Sequence, residues 1–290
     1  MYAANFDYFR ATSVAEAVQL MRDHPGAKLL AGGHSLLPAM KLRVAMPPAL
    51  VDIGRVPGLS GIEMSGDKLT IGALTSHHAI ATSEMVRKHC PILAEAASQI
   101  GDQQVRNRGT IGGSLAHADP AADFPTVMVA LGATLTATGP GGSRDIPAGE
   151  FFTDLLTTTL KPDEVLTSIS VPAYGGMAGM GGAYLKHRHP ASSYAVVGVA
   201  AMVGLQDGKC ARVSLAIGGA TVNPVRATAA ETALMGKSPD DANVAAAAEQ
   251  VGAVLKNPMS DVYASSDFRA HLAKVMARRA LAKAVERAKS

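Results

Sequence analysis

Two short glycine motifs carry the chemistry open to this chain. "AGGHS" spans Ala31, Gly32, Gly33, His34 and Ser35, and "TIGGS" spans Thr110, Ile111, Gly112, Gly113 and Ser114. Adjacent glycines permit positive φ and let backbone N–H groups face an anion with no Cβ between them. Ser35 can hydrogen-bond a phosphate oxygen, and a helix starting after it would add its positive N-terminal end. Taken alone, "AGGHS" is better read as a tight turn. Taken with "TIGGS", about seventy-five residues on, it reads as one of two loops clamping a pyrophosphate between lobes. The surrounding "LLAGGHSLLPAMK" has neither the Lys-Ser/Thr ending of an ATP-binding loop nor the glycine spacing of a single Rossmann turn. In "HADPAADFP", Asp119 and Asp123 are placed where a carboxylate could accept ribose hydroxyls.

Other chemistries have less support. His77-His78 and His187-x-His189 lack a cysteine or carboxylate in ligand spacing, so no metal site is expected. No Gly-x-Ser-x-Gly elbow argues for a hydrolase, and no catalytic residue is singled out. Arg106 and Arg108 lie in "GDQQVRNRG", an expected polar loop that is either a solvated surface or a contact for phosphate or partner. A net charge of +3 over 290 residues is too small and scattered for nucleic acid. The two cysteines, Cys90 and Cys210, read as reduced structural thiols and are too few for an iron–sulfur cluster, which takes about four. The first residues do not resemble a signal peptide and no apolar run reaches ~18–20 residues, so neither a leader nor a transmembrane segment is expected. The expected location is the cytoplasm, or the membrane's inner face through a partner.

Three groups of elements must position the motifs. Residues 1–55 read as β-α-β: "TSVAEAVQLM" is a helix with a Ser13/Glu16 capping box, and "AKLLAGG" is a strand that breaks at the glycines. Residues 56–176 form a second α/β unit, with a strand in "KLTIGALTS", two helices broken at Pro91, and further strands in "ATLTATG" and "EVLTSISVP". "GGMAGMGG" reads as a flexible hinge. Residues 177–290 read as three antiparallel strands, two of them joined at Asp207-Gly208, followed by alanine-rich helices.

The segments "AGGHSLLPAMKLR", "VRNRGTIGGSLAHADPAADFP" and "YLKHRHPASSYAVVGVA", in that order, resemble the FAD-binding medium subunits of molybdenum hydroxylases. Those of aerobic carbon monoxide dehydrogenases are the nearest likeness, over essentially the whole chain. The resemblance implies an α+β fold. Two α/β sub-domains of the vanillyl-alcohol-oxidase-like type would bind FAD, and a C-terminal α+β domain with a three-stranded sheet and a helical layer would follow. It implies that residues 31–35, with Leu36, and residues 110–114 hold the FAD pyrophosphate. Asp123 would lie near the adenosine end, and Lys186 and Tyr194 near the isoalloxazine ring. It also implies partners: a large subunit with the molybdenum cofactor and a small subunit with [2Fe–2S] clusters, two copies of each assembling together. Electrons would arrive from another polypeptide and leave for an external acceptor such as a quinone, a choice shared with NAD- and oxygen-linked relatives. Two alternatives stay open. One is a self-standing FAD oxidase or reductase with its own substrate base; the other is a nucleotide-binding scaffold without flavin.

Overall fold

Ser13 starts the first helix of the computed structural model, which describes residues 2–290. Its hydroxyl accepts the Glu16 N–H at 3.1 Å, while Glu16 reaches one residue further back than the expected box, to the Thr12 N–H at 2.7 Å. This helix, α1 (Val14–Asp23), buries Ala17 and Val18 and connects β1 (Asp7–Arg10) to β2 (Lys28–Leu30). Helix α2 (Leu36–Lys41) then leads to β3 (Ala49–Asp52), which inserts between the first two strands to give a parallel sheet ordered β1-β3-β2. The first glycine motif follows β2, at the carboxyl edge of that sheet, as the sequence implied.

The second lobe begins with β4 (Ile62–Ser65) and β5 (Lys68–Gly72). Six helices follow: α3 (His77–Thr82), α4 (Glu84–His89), α5 (Pro91–Ser98), α6 (Gln103–Arg108), α7 (Ile111–His117) and α8 (Asp123–Leu131). Next come β6 (Thr134–Gly139), β7 (Gly142–Pro147), the short α9 (Ala148–Phe151), a small hairpin of β8 (Phe152–Asp154) and β9 (Thr157–Thr158), and β10 (Val165–Pro172). The main sheet is antiparallel in the order β4-β5-β10-β6-β7. Three expectations change here. The two helices broken at Pro91 are three, because Ser83 caps Val86 and starts a new helix one turn earlier. The polar loop "GDQQVRNRG" is helix α6, capped by Asp102 on the Val105 N–H at 2.8 Å. "TIGGS" is not a loop either: Thr110 caps α7, and both glycines lie in its first turn.

The third lobe is an antiparallel sheet of β11 (Met180–Arg188), β12 (Ala195–Gln206), β13 (Lys209–Gly218) and the two-residue β14 (Val225–Arg226), one strand more than expected. Helices α10 (Thr228–Leu234), α11 (Asp241–Glu249) and α12 (Ser266–Lys289) follow. The first ten residues of β12 are all buried, because the strand is covered on both faces. Val199, Ala201 and Val203 pack with α12, whereas Ala200 and Met202 join the core of the second lobe.

The expected hinge "GGMAGMGG" is a packed seam. A β-carbon on Gly175 would collide with the Lys88 carbonyl, and one on Gly181 with the Ala284 carbonyl. These glycines permit close backbone contact rather than freedom of movement. Glu95 of α5 closes the same seam from the side. Its carboxylate accepts bonds from Arg287 at 2.8 and 2.9 Å, from Lys283 at 3.1 Å and from the Tyr184 N–H at 3.0 Å.

Candidate cofactor site

Strand β2 stops at Leu30, and the chain turns at Gly33 with φ +76°, a conformation natural to glycine. Ala31, Gly32 and Gly33 are half-buried, His34 is exposed, and Ser35 stands before Leu36, the first residue of α2. The Ser35 hydroxyl makes no capping bond to that helix. Among the described residues, the N–H groups of Gly32, Gly33, His34 and Ser35 find no acceptor. At a half-buried turn such donors are left to solvent or to a ligand, and a run of four beside paired glycines has the form that can cradle an anion.

The second motif is built differently. The Ile111 N–H donates to the Thr75 carbonyl at 3.0 Å, and the Gly112 N–H to the Ala73 carbonyl at 2.8 Å. Gly113 donates to the capping Thr110 hydroxyl at 3.1 Å. Ile111 is fully buried, so it offers a ligand neither side chain nor N–H. A β-carbon on Gly112 would stand 2.5 Å from the Ala73 β-carbon. Exposed Gly113 and the Ser114 hydroxyl form the open face of this motif.

The first motif packs on the residues just before the second. Gly32 presses on the Arg108 carbonyl and the Gly109 α-carbon, so the first loop rests on the junction of α6 and α7. Gly109 in turn lies under the ring of His77 and accepts the His77 N–H at 2.9 Å. His77 packs edge-on against Phe124 at 5.2 Å, and its Nδ1 is buried without a partner. Burial, reinforced by the nearby His34 and Arg106, pushes its pKa down to about 4. The imidazole is therefore a neutral wedge beneath both motifs. Arg106 is no free docking group: it donates to the carbonyls of Ile100 and Gly101 at 2.9 and 3.2 Å.

Asp123 and Lys186 form a buried pair. The ammonium lies 2.8 Å from one carboxylate oxygen and 2.9 Å from the other, and the Tyr184 hydroxyl donates to Asp123 at 2.6 Å. Burial pushes the Asp123 carboxyl up and the Lys186 amine down, against the attraction of each for the other. Since the two are in contact, Asp123 cannot mark the adenosine end of FAD while Lys186 marks the ring. Its carboxylate is bonded within the protein rather than held out to a ribose. Asp119, whose carboxylate also accepts the Ala121 N–H at 2.8 Å, sits at the adjoining surface.

Tyr194 is 44% exposed and lies beside Ser35. Burial and the neighbouring Asp119 raise its phenol pKa, and the Ser35 hydroxyl draws it back. Tyr194 thus brings the third segment of the sequence to the first motif. Two contributors escaped the sequence reading. Tyr184 carried only a strand pattern, and His77 stood only as half of a histidine pair without ligand spacing.

The residues present fit a dinucleotide with a pyrophosphate. Free N–H donors on the first motif and a hydroxyl on each motif supply binding rather than acid–base chemistry. Among the described residues no cluster of three or more His, Cys, Asp or Glu could hold a metal ion. The chain matches the family "FAD binding domain in molybdopterin dehydrogenase" over residues 4–174 and "CO dehydrogenase flavoprotein C-terminal domain" over residues 182–284. It is 40% identical to 6-hydroxypseudooxynicotine dehydrogenase complex subunit alpha of Paenarthrobacter nicotinovorans, covering 100% of this chain and 97% of that one. It is 39% identical to the carbon monoxide dehydrogenase medium chain of Hydrogenophaga pseudoflava, covering 97% of each. A solved structure of carbon monoxide dehydrogenase from Hydrogenophaga pseudoflava, which lacks the Mo-pyranopterin moiety of its cofactor, superposes with a TM-score of 0.96 over 99% of both chains, at 41% identity.

Proposed function

The chain belongs to the FAD-binding medium subunits of the molybdenum hydroxylases, and from that premise we propose that it relays electrons from an iron–sulfur partner to an external acceptor. When bound, FAD takes up electrons singly and releases them in pairs. The protein's task is to hold that cofactor, orient it and shield one side. Residues 32–35 offer N–H donors to the pyrophosphate, and Gly113 with Ser114 closes on it from the second lobe. The buried Asp123–Lys186 pair, held by the Tyr184 hydroxyl, stiffens the neighbouring wall, and Tyr194 covers the edge of the site. The observation that carries this reading is the run of four unpaired N–H groups resting on the Arg108–Gly109 junction.

The complex we infer has a molybdenum-bearing large subunit and a [2Fe–2S] small subunit, two copies of each with this chain, and works in the cytoplasm. No helix among the described residues is long and apolar enough to cross a membrane. Carbon monoxide is the substrate we assign to the large subunit, supported by the 0.96 superposition. The test is to purify the assembled complex and record its visible spectrum anaerobically before and after adding carbon monoxide. One FAD per chain, bleached by carbon monoxide, is the expected result. A complex without flavin would sink the relay. Bleaching by 6-hydroxypseudooxynicotine and not by carbon monoxide would replace the substrate and leave the relay standing.

A further inference from the structure

Asp119 stands outside the glycine motifs and lines a cavity of about 270 Å³. The walls come from the loop after α7, the turn before β12 and the approach to α12, so the second and third lobes build it together. No residue of either glycine motif belongs to it. Its volume falls short of the ~300–1,000 Å³ typical of small-molecule sites. A single long side chain fits that space.

The charges of the cavity do not balance. Asp261 and Arg269 are paired with each other. Arg269, 5% exposed, also donates to the carbonyls of Val196 and Gly219 at 2.6 and 2.7 Å. Asp119 is left over. One of its carboxylate oxygens accepts the Ala121 N–H at 2.8 Å, and the other has no partner among the described residues. The half-buried cavity wall thus carries one uncompensated negative charge, which selects a cation and rejects an anion.

The rest of the lining suits the remainder of a lysine side chain. Pro120, Ala195, Val196 and Met259 give apolar walls to four methylenes. An ammonium has three N–H donors. Three acceptors with spare capacity line the cavity: the second Asp119 oxygen, the Tyr194 phenol oxygen, and the Ser192 hydroxyl, which accepts the Tyr194 N–H at 3.4 Å. Beside these groups the chain exposes apolar surface. Val262, next to Asp261, is fully exposed, Tyr194 and Tyr263 are each 44% exposed, and Tyr263 tilts over His189 at 4.6 Å. A charged socket with aromatic and apolar side chains beside it has the anatomy of a protein-docking hot spot. A free amine or a metal ion would leave those side chains in water.

We propose that this cavity receives a lysine of a partner subunit, carried on an apolar face that covers Tyr194, Val262 and Tyr263. The inference rests on the multi-subunit complex inferred above. Tyr194 is also a neighbour of Ser35, so the docked subunit sits beside the first glycine motif.

The assembled complex should be treated with a water-soluble carbodiimide, which joins a carboxylate to an amine in contact with it, and digested for mass spectrometry. Asp119 linked to a lysine of a partner subunit is the expected product. Asp119→Asn keeps an acceptor for the Ala121 N–H, removes the charge, and should lose that link. On dilution, Asp119→Asn should release the partner at about tenfold higher concentration than wild type. Asp119→Lys should release it at about a hundredfold higher concentration, through like-charge repulsion. While assembled, the Asp119→Asn complex should keep the wild-type flavin absorbance per chain. Asp119 linked only within its own chain or not at all, or unchanged dissociation of both variants, would overturn the proposal. So would flavin missing from the assembled Asp119→Asn complex, because the carboxylate would then belong to the cofactor's own seat. A wild-type chain that purifies without partner subunits would overturn the complex reading, and the docking site with it.

Discussion

The α-carbon of Gly32 lies against the carbonyl oxygen of Arg108, with no room between them for a β-carbon. This contact, not flexibility, is what the first glycine of "AGGHS" provides. Its partner is backbone at the α6–α7 junction, which cannot swing aside as a side chain would.

Gly32→Ala should therefore force the two motifs apart. The expected flavin content is below about a tenth of wild type, with a stability loss of about 1–3 kcal/mol from overpacking. Flavin absorbance per chain and the thermal midpoint measure both quantities. Full flavin content in this variant would refute the contact's role.

Gly112→Ala is expected to act by another route. The added carbon meets Ala73 in the core of the second lobe, so stability should fall first, by about 1–3 kcal/mol. Flavin that is retained should stay bound at low temperature and be lost together with the fold on heating. Coincidence of the flavin-release and circular-dichroism transitions is the measurement.

Removing one member of the buried Asp123–Lys186 pair leaves the other charge uncompensated. Lys186→Met should cost about 3–5 kcal/mol, and the double variant Asp123→Leu/Lys186→Met should recover much of that loss. A double-mutant cycle on thermal midpoints reads the coupling. Additive losses would show that the pair is not energetically linked.

His77 gives the chain an acid-sensitive point. Its folded pKa of about 4 lies below the ordinary value near 6.5, so the unfolded chain takes up this proton first. The stability gained from the neutral ring is complete above about 6.5 and drains away as pH falls toward about 4, by roughly 3 kcal/mol in all. His77→Leu should flatten the dependence of the thermal midpoint on pH across that window. An unchanged slope would mean that another group sets it.

Glu95 binds Arg287 and Lys283 across the seam between the second and third lobes. Burial pushes its carboxyl up, but Arg287, the Tyr184 N–H and Lys283 outweigh that and hold it below the usual range. Glu95→Gln should lower stability by about 1–3 kcal/mol and raise proteolytic cutting within 175–179, as limited digestion would show.

Much of this architecture could be read from residue types. Ser13 and Glu16 announced α1, and the turn at Asp207-Gly208 announced the hairpin of β12 and β13. What escaped has physical causes. "GDQQVRNRG" is helical because Asp102 caps it and Arg106 bonds the Ile100 and Gly101 carbonyls in the turn before it, neither of which shows as hydrophobic periodicity. "GGMAGMGG" looked loose because glycine serves mobility and close packing alike, and only the facing carbonyls of Lys88 and Ala284 distinguish them. Asp123 looked available to a ribose because Lys186 and Tyr184, about sixty residues away, are invisible at short range.

The two motifs also differ in when they are finished. The donors of Ile111, Gly112 and Gly113 are engaged as soon as the second lobe has folded, whether or not a dinucleotide is near. Those of Gly32 to Ser35 stay idle until an anion arrives. On the function proposed above, one motif is thus a template and the other a latch, and the cofactor would be a late guest whose departure leaves the scaffold standing. Its lifetime on the protein would then follow how often residues 31–36 let go, and inorganic phosphate, which needs only those four donors, should compete for the vacated latch.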